Sequence, residues 1–97
     1  MESKNLKLPG VRIIRTKTHE DVRGSFTEIY NKKNLADAGI KDEFVQDNIT
    51  RSVLSGTVRG LHFQKSPHAQ AKIIRVLKGR ILDVVVDIRH GSPTYGQ

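Results

Sequence analysis

Apolar and polar residues alternate along most of this chain, a pattern typical of short β-strands that bury one face. Turn-forming residues recur at short intervals and leave little room for long helices. Six segments carry the alternation, at residues 11–18, 24–31, 44–53, 57–64, 71–78 and 80–89. The sequence therefore predicts an all-β domain of short strands, arranged as a sandwich or a barrel.

One helix and two tight turns interrupt this pattern. Residues 31–40 are predicted to form a short helix, with Asn31 or Asn34 as its N-cap and Gly39 as its stop signal. Ser55–Gly56 and Lys78–Gly79 each lie between two predicted strands and suit a hairpin turn. We therefore expect the strands on either side of each turn to run antiparallel.

The most apolar of the predicted strands comes last. It contains "ILDVVVDI" at residues 81–88, and only the turn-like "HGSPTYGQ" follows it. A closed barrel or double sheet usually needs about eight strands, so we expect further strands to cover the second face of this one. Either a partner chain supplies them, or the sequence is the front part of a longer protein.

Composition and charge narrow the class of protein. Ninety-seven residues, 36% hydrophobic and 28% charged, suit one soluble globular domain at residues 1–97. The formal net charge of +7 favours anionic partners. The absence of cysteine excludes disulfides and thiolate chemistry within the chain. No membrane-length apolar run or signal peptide is evident, so we expect a cytoplasmic protein that does not bind membranes.

Ionisable residues interrupt the apolar faces of three consecutive predicted strands. Because side chains alternate across a strand, His62, Lys72 and Asp83 each stand among apolar neighbours on one face. A solvated outer face explains this arrangement. Alternatively, the three side chains converge inside a barrel, where Asp83 would support the other two.

Metal and nucleic-acid binding both fit the sequence poorly. His62 and His68 are six positions apart, and no His-x-His pair or nearby carboxylate completes a metal site. The basic residues are scattered, aromatic residues are few, and no RNA- or DNA-binding motif is present. We therefore expect no metal and no dedicated nucleic-acid interface.

Six short motifs occur in order along the chain, namely "DVRGSFTE", "FVQDN", "VRGLHFQ", "QAKIIRV", "DVVVDIR" and "GSPTYGQ". Taken together, they resemble the dTDP-4-dehydrorhamnose 3,5-epimerase family of sugar-nucleotide epimerases. The resemblance implies a cupin jelly roll and a homodimer. It also implies a dTDP-linked 4-keto-6-deoxyhexose as substrate, with neither a metal nor an organic cofactor.

The resemblance also implies roles for individual residues. His62 matches the general base that removes the protons at C3 and C5 of the sugar, and Lys72 matches the cation beside the C4 oxygen. The implied contacts to the nucleotide and sugar are Arg23, Phe26, Glu28, Gln46, Asp47, Asn48 and Arg59.

The family pattern is incomplete in this sequence. Members are longer, and their proton-donating tyrosine and the aspartate that orients the histidine lie beyond this chain; Tyr95 belongs to the "SPTYG" turn instead. Two alternatives therefore stay open. One is a non-catalytic nucleotide-sugar binding fragment that retains Arg23, Gln46, Asn48 and Arg59. The other is a related 3-epimerase or ketoisomerase of deoxysugar biosynthesis.

Overall fold

All helices and strands lie before residue 38 in the computed structural model of the chain, which describes residues 1–97. The chain divides into two compact units. The first unit comprises Met1–Asp42 together with Val85–Gln97, and the second comprises Glu43–Val84. Regular secondary structure consists of four antiparallel strands and one short helix, which confirms the all-β class at this coarse level.

The first hairpin pairs β1 (Glu2–Asn5) with β2 (Arg12–Arg15) in antiparallel register. Its loop is closed by the backbone N–H of Leu6, which donates to the carbonyl oxygen of Val11 at 2.9 Å. Strand β1 was not predicted, because the polar sequence "ESKN" carries no alternation. Backbone hydrogen bonds to β2, rather than a buried face, stabilise it.

The second hairpin pairs β3 (Thr18–Asp21) with β4 (Gly24–Thr27) through a two-residue turn. The hydroxyl groups of Thr18 and Thr27, which are directly opposite each other, are 2.7 Å apart and share a hydrogen bond. The single strand predicted at residues 11–18 is thus two strands, β2 and the start of β3. The strand predicted at residues 24–31 is confirmed in its first half as β4.

The predicted helix is confirmed as α1 (Lys32–Asp37). Asn31 is its N-cap, since the side-chain oxygen accepts a hydrogen bond from the backbone N–H of Asn34 at 2.9 Å. Gly39 follows the helix with a φ of +91°, a conformation that favours glycine. Leu35 is the buried apolar residue of this helix. No helix in the structure has the length and apolar character needed to cross a membrane.

An arginine of β2 completes the end of α1. Arg12 Nη1 donates to the carbonyl oxygen of Ala38 at 2.5 Å, which satisfies a carbonyl that the helix itself leaves without a partner. A Cβ atom on Gly39 would lie 2.7 Å from the same Nη1 atom. The positive φ favours glycine here, and a larger residue would also displace the end of the Arg12 side chain.

The predicted turn at Ser55–Gly56 is confirmed in the second unit. Gly56 has a φ of +81°, and the Thr57 hydroxyl donates to the carbonyl oxygen of Leu54 at 2.7 Å. The turn is thus held by local contacts. The antiparallel strands expected on either side of it are absent. At Lys78–Gly79 the chain only bends, with a φ of +86° at Gly79, and the antiparallel strands expected there are absent as well.

Four predicted strands do not form, and the predictions for them are wrong for this structure. They are the segments at residues 44–53, 57–64, 71–78 and 80–89. The alternating side chains of these segments are not packed: Val45 is 90% exposed, and Leu82 is 89% exposed. Alternation favours a strand only when a neighbouring strand supplies hydrogen bonds and an apolar surface covers one face. Neither condition is met here.

A buried carboxylate organises the last eleven residues, 87–97, within the first unit. The Asp87 residue is only 5% exposed. It accepts hydrogen bonds from the Ser92 hydroxyl at 2.5 Å and from the Thr94 hydroxyl at 2.6 Å. Arg89 donates to it from the backbone N–H, from Nε and from Nη2, each at 3.0 Å.

Backbone contacts close the same turn and tie it to the first hairpin. The N–H of Asp87 donates to the carbonyl oxygen of Gln97 at 2.8 Å, and the N–H of Gly96 donates to the carbonyl oxygen of Asp87 at 2.7 Å. Arg89 Nη2 also reaches the carbonyl oxygen of Pro9 at 2.9 Å, across 80 positions of sequence. We call these contacts the Asp87 network.

The Asp87 network lowers the pKa of its carboxyl group strongly. The Arg89 side chain is the largest cause, followed by the Ser92 and Thr94 hydroxyls, because all of them stabilise the ionised form. The pKa of Arg89 is raised by the same contact. Because the folded pKa lies below the unfolded value of about 3.9, the contribution of Asp87 to folding is complete above that pH. It is lost as the pH falls through the folded pKa.

We expect Asp87→Asn to lower the stability of the first unit at neutral pH. An asparagine amide would face the Arg89 donors with donors of its own and would remove the ion pair. Thermal unfolding followed near neutral pH and again in strong acid should show a large difference between wild type and variant only at neutral pH. Asp83→Asn is the matched control, since Asp83 is an exposed carboxylate. Equal unfolding midpoints for Asp87→Asn and wild type at neutral pH would contradict the assignment.

Candidate functional site

A shallow cleft opens in the first unit beside the second hairpin. Its volume is about 240 Å³, which is below the range of about 300–1,000 Å³ for small-molecule sites. The lining residues are Met1, Thr16, Lys17, His19, Phe26, Glu28 and Asn34. Phe26 and Glu28 were predicted from the sequence as ligand contacts. The structure brings these two together, and His19 joins them as the cross-strand partner of Phe26.

Glu28 is held from the first turn of α1. The side-chain amide of Asn34 donates to Glu28 Oε1 at 3.2 Å. The backbone N–H of Asn34 is bound to the N-cap Asn31, so the helix start fixes the residue that contacts Glu28. The sequence suggested Asn34 only as an alternative N-cap. Its contact with Glu28 has no periodic signature in the sequence.

Arg23 lies in the turn between β3 and β4 and is bound by Asp21. Its Nε and Nη2 atoms donate to Asp21 Oδ2 at 3.1 and 2.6 Å, and its backbone N–H donates to Oδ1 at 2.8 Å. The pKa of Asp21 is lowered, first by the Arg23 side chain and then by the Arg23 backbone N–H. The pKa of Arg23 is raised by the same ion pair. Asp21 was not among the residues predicted from the sequence.

The "QDN" segment of the second unit contains a local side-chain contact. Gln46 Nε2 donates to Asn48 Oδ1 at 3.2 Å. Asp47, between them, is exposed. Each of these three polar side chains is accessible to a ligand.

Arg59 and His62 lie on the far side of the Ser55–Gly56 turn. Arg59 Nη2 donates to the Ser52 hydroxyl at 3.3 Å, a contact that spans the turn. His62 is exposed, and its ring folds back toward Gly60. A Cβ atom on Gly60 would lie 2.9 Å from His62 Nδ1, and Gly60 has a φ of +92°. Glycine at this position therefore permits the orientation of the histidine ring.

His62, Lys72 and Asp83 are all exposed, and no hydrogen bond or ion pair joins them. Their predicted convergence depended on three neighbouring strands that do not form in this structure. Their roles in a site stay predictions. The structure also contains no group of three or more His, Cys, Asp or Glu side chains placed to hold a metal ion.

The chain is similar to curated proteins named dTDP-4-dehydrorhamnose epimerases. It is 46% identical over 101 residues to the dTDP-4-dehydrorhamnose 3,5-epimerase of Sinorhizobium fredii, a match that covers all of this chain and 50% of the relative. The enzyme of the same name from Shigella flexneri is 47% identical over 92 residues, covering 94% of this chain and 50% of the relative. A dTDP-4-dehydrorhamnose 3-epimerase from Streptomyces niveus is 41% identical over 97 residues, covering 99% of this chain and 46% of the relative.

The chain belongs to the dTDP-4-dehydrorhamnose 3,5-epimerase family, whose sequence profile matches residues 5–97. This confirms the family resemblance seen in the sequence motifs. The chain spans about half the length of the curated relatives it matches. No solved structure matches it. Every residue predicted for the site lies inside the matched range.

Proposed function

We propose that this chain carries the proton-abstracting part of a dTDP-4-dehydrorhamnose 3,5-epimerase, an isomerase of dTDP-rhamnose biosynthesis. Its substrate would be dTDP-4-dehydro-6-deoxyglucose, inverted at C3 and C5. The observation that carries this proposal is the family match over residues 5–97, with relatives of that name 46% and 47% identical. His62 and Lys72 both lie within the match.

The proposed chemistry needs a base at carbon and a cation at oxygen. Protons on C3 and C5 are acidic because the C4 ketone accepts the resulting charge as an enolate. In this proposal the His62 imidazole takes the proton and the Lys72 ammonium stabilises the enolate oxygen. Inversion then requires an acid on the opposite face of the sugar. No metal or organic cofactor enters this scheme.

Binding of the nucleotide is assigned to the residues that match the family motifs. Arg23 and Arg59 suit a diphosphate, because a guanidinium donates two parallel hydrogen bonds to one anion. The exposed ring of Phe26 suits stacking against the base. The remaining proposed contacts are Glu28, Gln46, Asp47 and Asn48, with Asp83 as a supporting residue.

Two alternative functions are proposed beside this one. The 41% identity to a 3-epimerase favours, as second candidate, an enzyme that inverts a single centre. A non-catalytic nucleotide-sugar binding fragment would use Arg23, Gln46, Asn48 and Arg59 without the chemistry at His62. Binding without proton exchange would distinguish that fragment from either enzyme.

We further propose that residues 1–97 belong to a single cupin jelly-roll domain and that the protein is a homodimer. The exposed apolar side chains of the second unit support this, because Val45, Val58 and Leu82 are at least 86% exposed. Apolar area of this kind is normally covered by another polypeptide surface. The cytoplasmic location stays a prediction.

The first functional prediction concerns affinity for dTDP. We expect Arg59→Ala to weaken binding by about 1.5–3 kcal/mol, the range for a hydrogen bond to a charged group. Isothermal titration calorimetry measures this difference. Arg80→Ala is the matched control, because Arg80 is an exposed arginine outside the proposed contacts. Equal affinities for Arg59→Ala and wild type would remove Arg59 from the site.

The second prediction separates proton abstraction from inversion. With the 4-keto sugar nucleotide in deuterated water, we expect slow deuterium incorporation at C3 or C5 and little inverted product, because this chain supplies the base without the family's proton-donating tyrosine. Incorporation should disappear in His62→Ala and persist in His68→Ala. Mass spectrometry and NMR measure both quantities. Incorporation that persists unchanged in His62→Ala would disprove the role of His62 as the base.

The third prediction concerns association. We expect the chain to be at least dimeric at micromolar concentration, because the apolar side chains of the second unit are otherwise left in water. Light scattering across a dilution series measures this. Leu82→Ser should shift the equilibrium toward monomer, whereas Lys78→Ser, another exposed position of that unit, should not. A folded wild-type monomer that is stable at all concentrations would count against the homodimer.

A further inference from the structure

The turn between β3 and β4 holds its arginine in one orientation. Asp21 ends β3 and is the register partner of Gly24, which begins β4, so Arg23 lies within the two-residue turn itself. Both carboxylate oxygens of Asp21 are used: Oδ1 accepts the Arg23 backbone N–H, and Oδ2 accepts from Nε and Nη2. The contact is therefore a three-point clamp within three residues.

The clamp uses only one edge of the guanidinium group. A guanidinium has five N–H donors in a plane, arranged so that the Nε/Nη2 edge and the Nη1/Nη2 edge can each bind an anion with two hydrogen bonds. Asp21 occupies the Nε/Nη2 edge. The Nη1/Nη2 edge is left without a protein partner, and the Arg23 side chain is 87% exposed. A second anion can therefore bind to a group that is already oriented.

We propose that Asp21 is a positioning residue that presents the Nη1/Nη2 edge of Arg23 to the diphosphate of a nucleotide sugar. This inference rests on the proposed function and extends it to a residue that touches no substrate itself. A free arginine on a surface turn samples many rotamers, and binding must then order all of them. With the clamp in place, much of that ordering has already occurred on folding.

The negative charge of Asp21 opposes the gain in affinity that comes from ordering Arg23 before the ligand binds. A carboxylate near a bound diphosphate repels it, but both members of the pair are exposed, at 87% and 49%, and water and salt screen the repulsion. The orientation of the free edge is not screened. We therefore infer that positioning outweighs repulsion at physiological ionic strength. The lowered pKa of Asp21 keeps the carboxylate ionised throughout the neutral range.

The test measures dTDP affinity in a double-mutant cycle on the full chain. Asp21→Ala should weaken binding about two- to five-fold, the range for an exposed ion pair. Asp21→Asn should recover part of this loss, because its amide oxygen still accepts a hydrogen bond. In the Arg23→Ala background, Asp21→Ala should have no further effect, since it acts only through Arg23. Thermal unfolding of each variant monitors the fold.

A second measurement needs no ligand. In the free protein the Arg23 Nε–H resonance should exchange slowly with water, and in Asp21→Ala this protection should disappear. Glu20→Ala is the matched control, because Glu20 is the neighbouring exposed carboxylate of β3. Glu20→Ala should leave both the Arg23 resonance and the dTDP affinity unchanged. Equal losses in Glu20→Ala and Asp21→Ala would overturn the role of Asp21, because they would reflect a general effect of removing an acidic residue from this strand.

The outcomes distinguish this inference from the proposed function. Normal dTDP binding by wild type, together with unchanged or tighter binding by Asp21→Ala, overturns the role of Asp21 alone. That role is also overturned when Asp21→Ala costs as much affinity in the Arg23→Ala background as in wild type. Failure of the wild-type chain to bind dTDP overturns the proposed function and the role of Asp21 with it.

Discussion

The buried carboxylate of Asp87 is the interaction on which the first unit depends. Its oxygens accept hydrogen bonds from Arg89, Ser92 and Thr94. Arg89 also donates to the carbonyl oxygen of Pro9, in the loop of the first hairpin. Residues 87–97 are thereby joined to residues 1–15, although 80 positions separate the two bonded groups. Burial of this charge is tolerated because hydrogen bonds replace the water that it loses. The structured part of the chain thus depends on polar contacts more than on an apolar core, in which Leu35 is the one buried member.

The contrast between the two units follows from where each finds its hydrogen-bond partners. The two hairpins, α1 and the turn at residues 87–97 are each closed by hydrogen bonds between residues that are near in sequence. The conformational entropy lost in ordering each of them is therefore small. The segments of residues 43–84 need a sheet, and a sheet needs neighbours that are distant in sequence or in another polypeptide. Their apolar side chains stay exposed as a result. The chain spans about half the length of its curated relatives, and those relatives contain further residues beyond the matched region.

The same distinction explains what the sequence could predict. The helix at residues 32–37 and the turn at Ser55–Gly56 were predicted because caps and glycines act over one turn of chain. The family was recognised because its motifs are short and ordered. Strand β1 was missed because its residues are all polar, and Asp21 and Asn34 were missed as partners of ligand residues because hydrogen bonds of this kind leave no periodic trace. The later strands were predicted from alternation, which describes side chains and says nothing of whether a pairing strand is present.

The residues of the proposed site fall into two groups, those with local hydrogen-bond partners and those that need a distant strand. Contacts assigned to the ligand have partners within a few residues: Arg23 with Asp21, Glu28 with Asn34, Gln46 with Asn48. The pair assigned to the chemistry has none, since His62 and Lys72 are ten positions apart on segments that would meet only as neighbouring strands. In the proposed function, local structure would prepare recognition of the nucleotide, whereas proton abstraction by His62 would require long-range pairing. On this proposal, a surface that orders residues 57–64 against residues 71–78 would affect proton abstraction more than nucleotide binding.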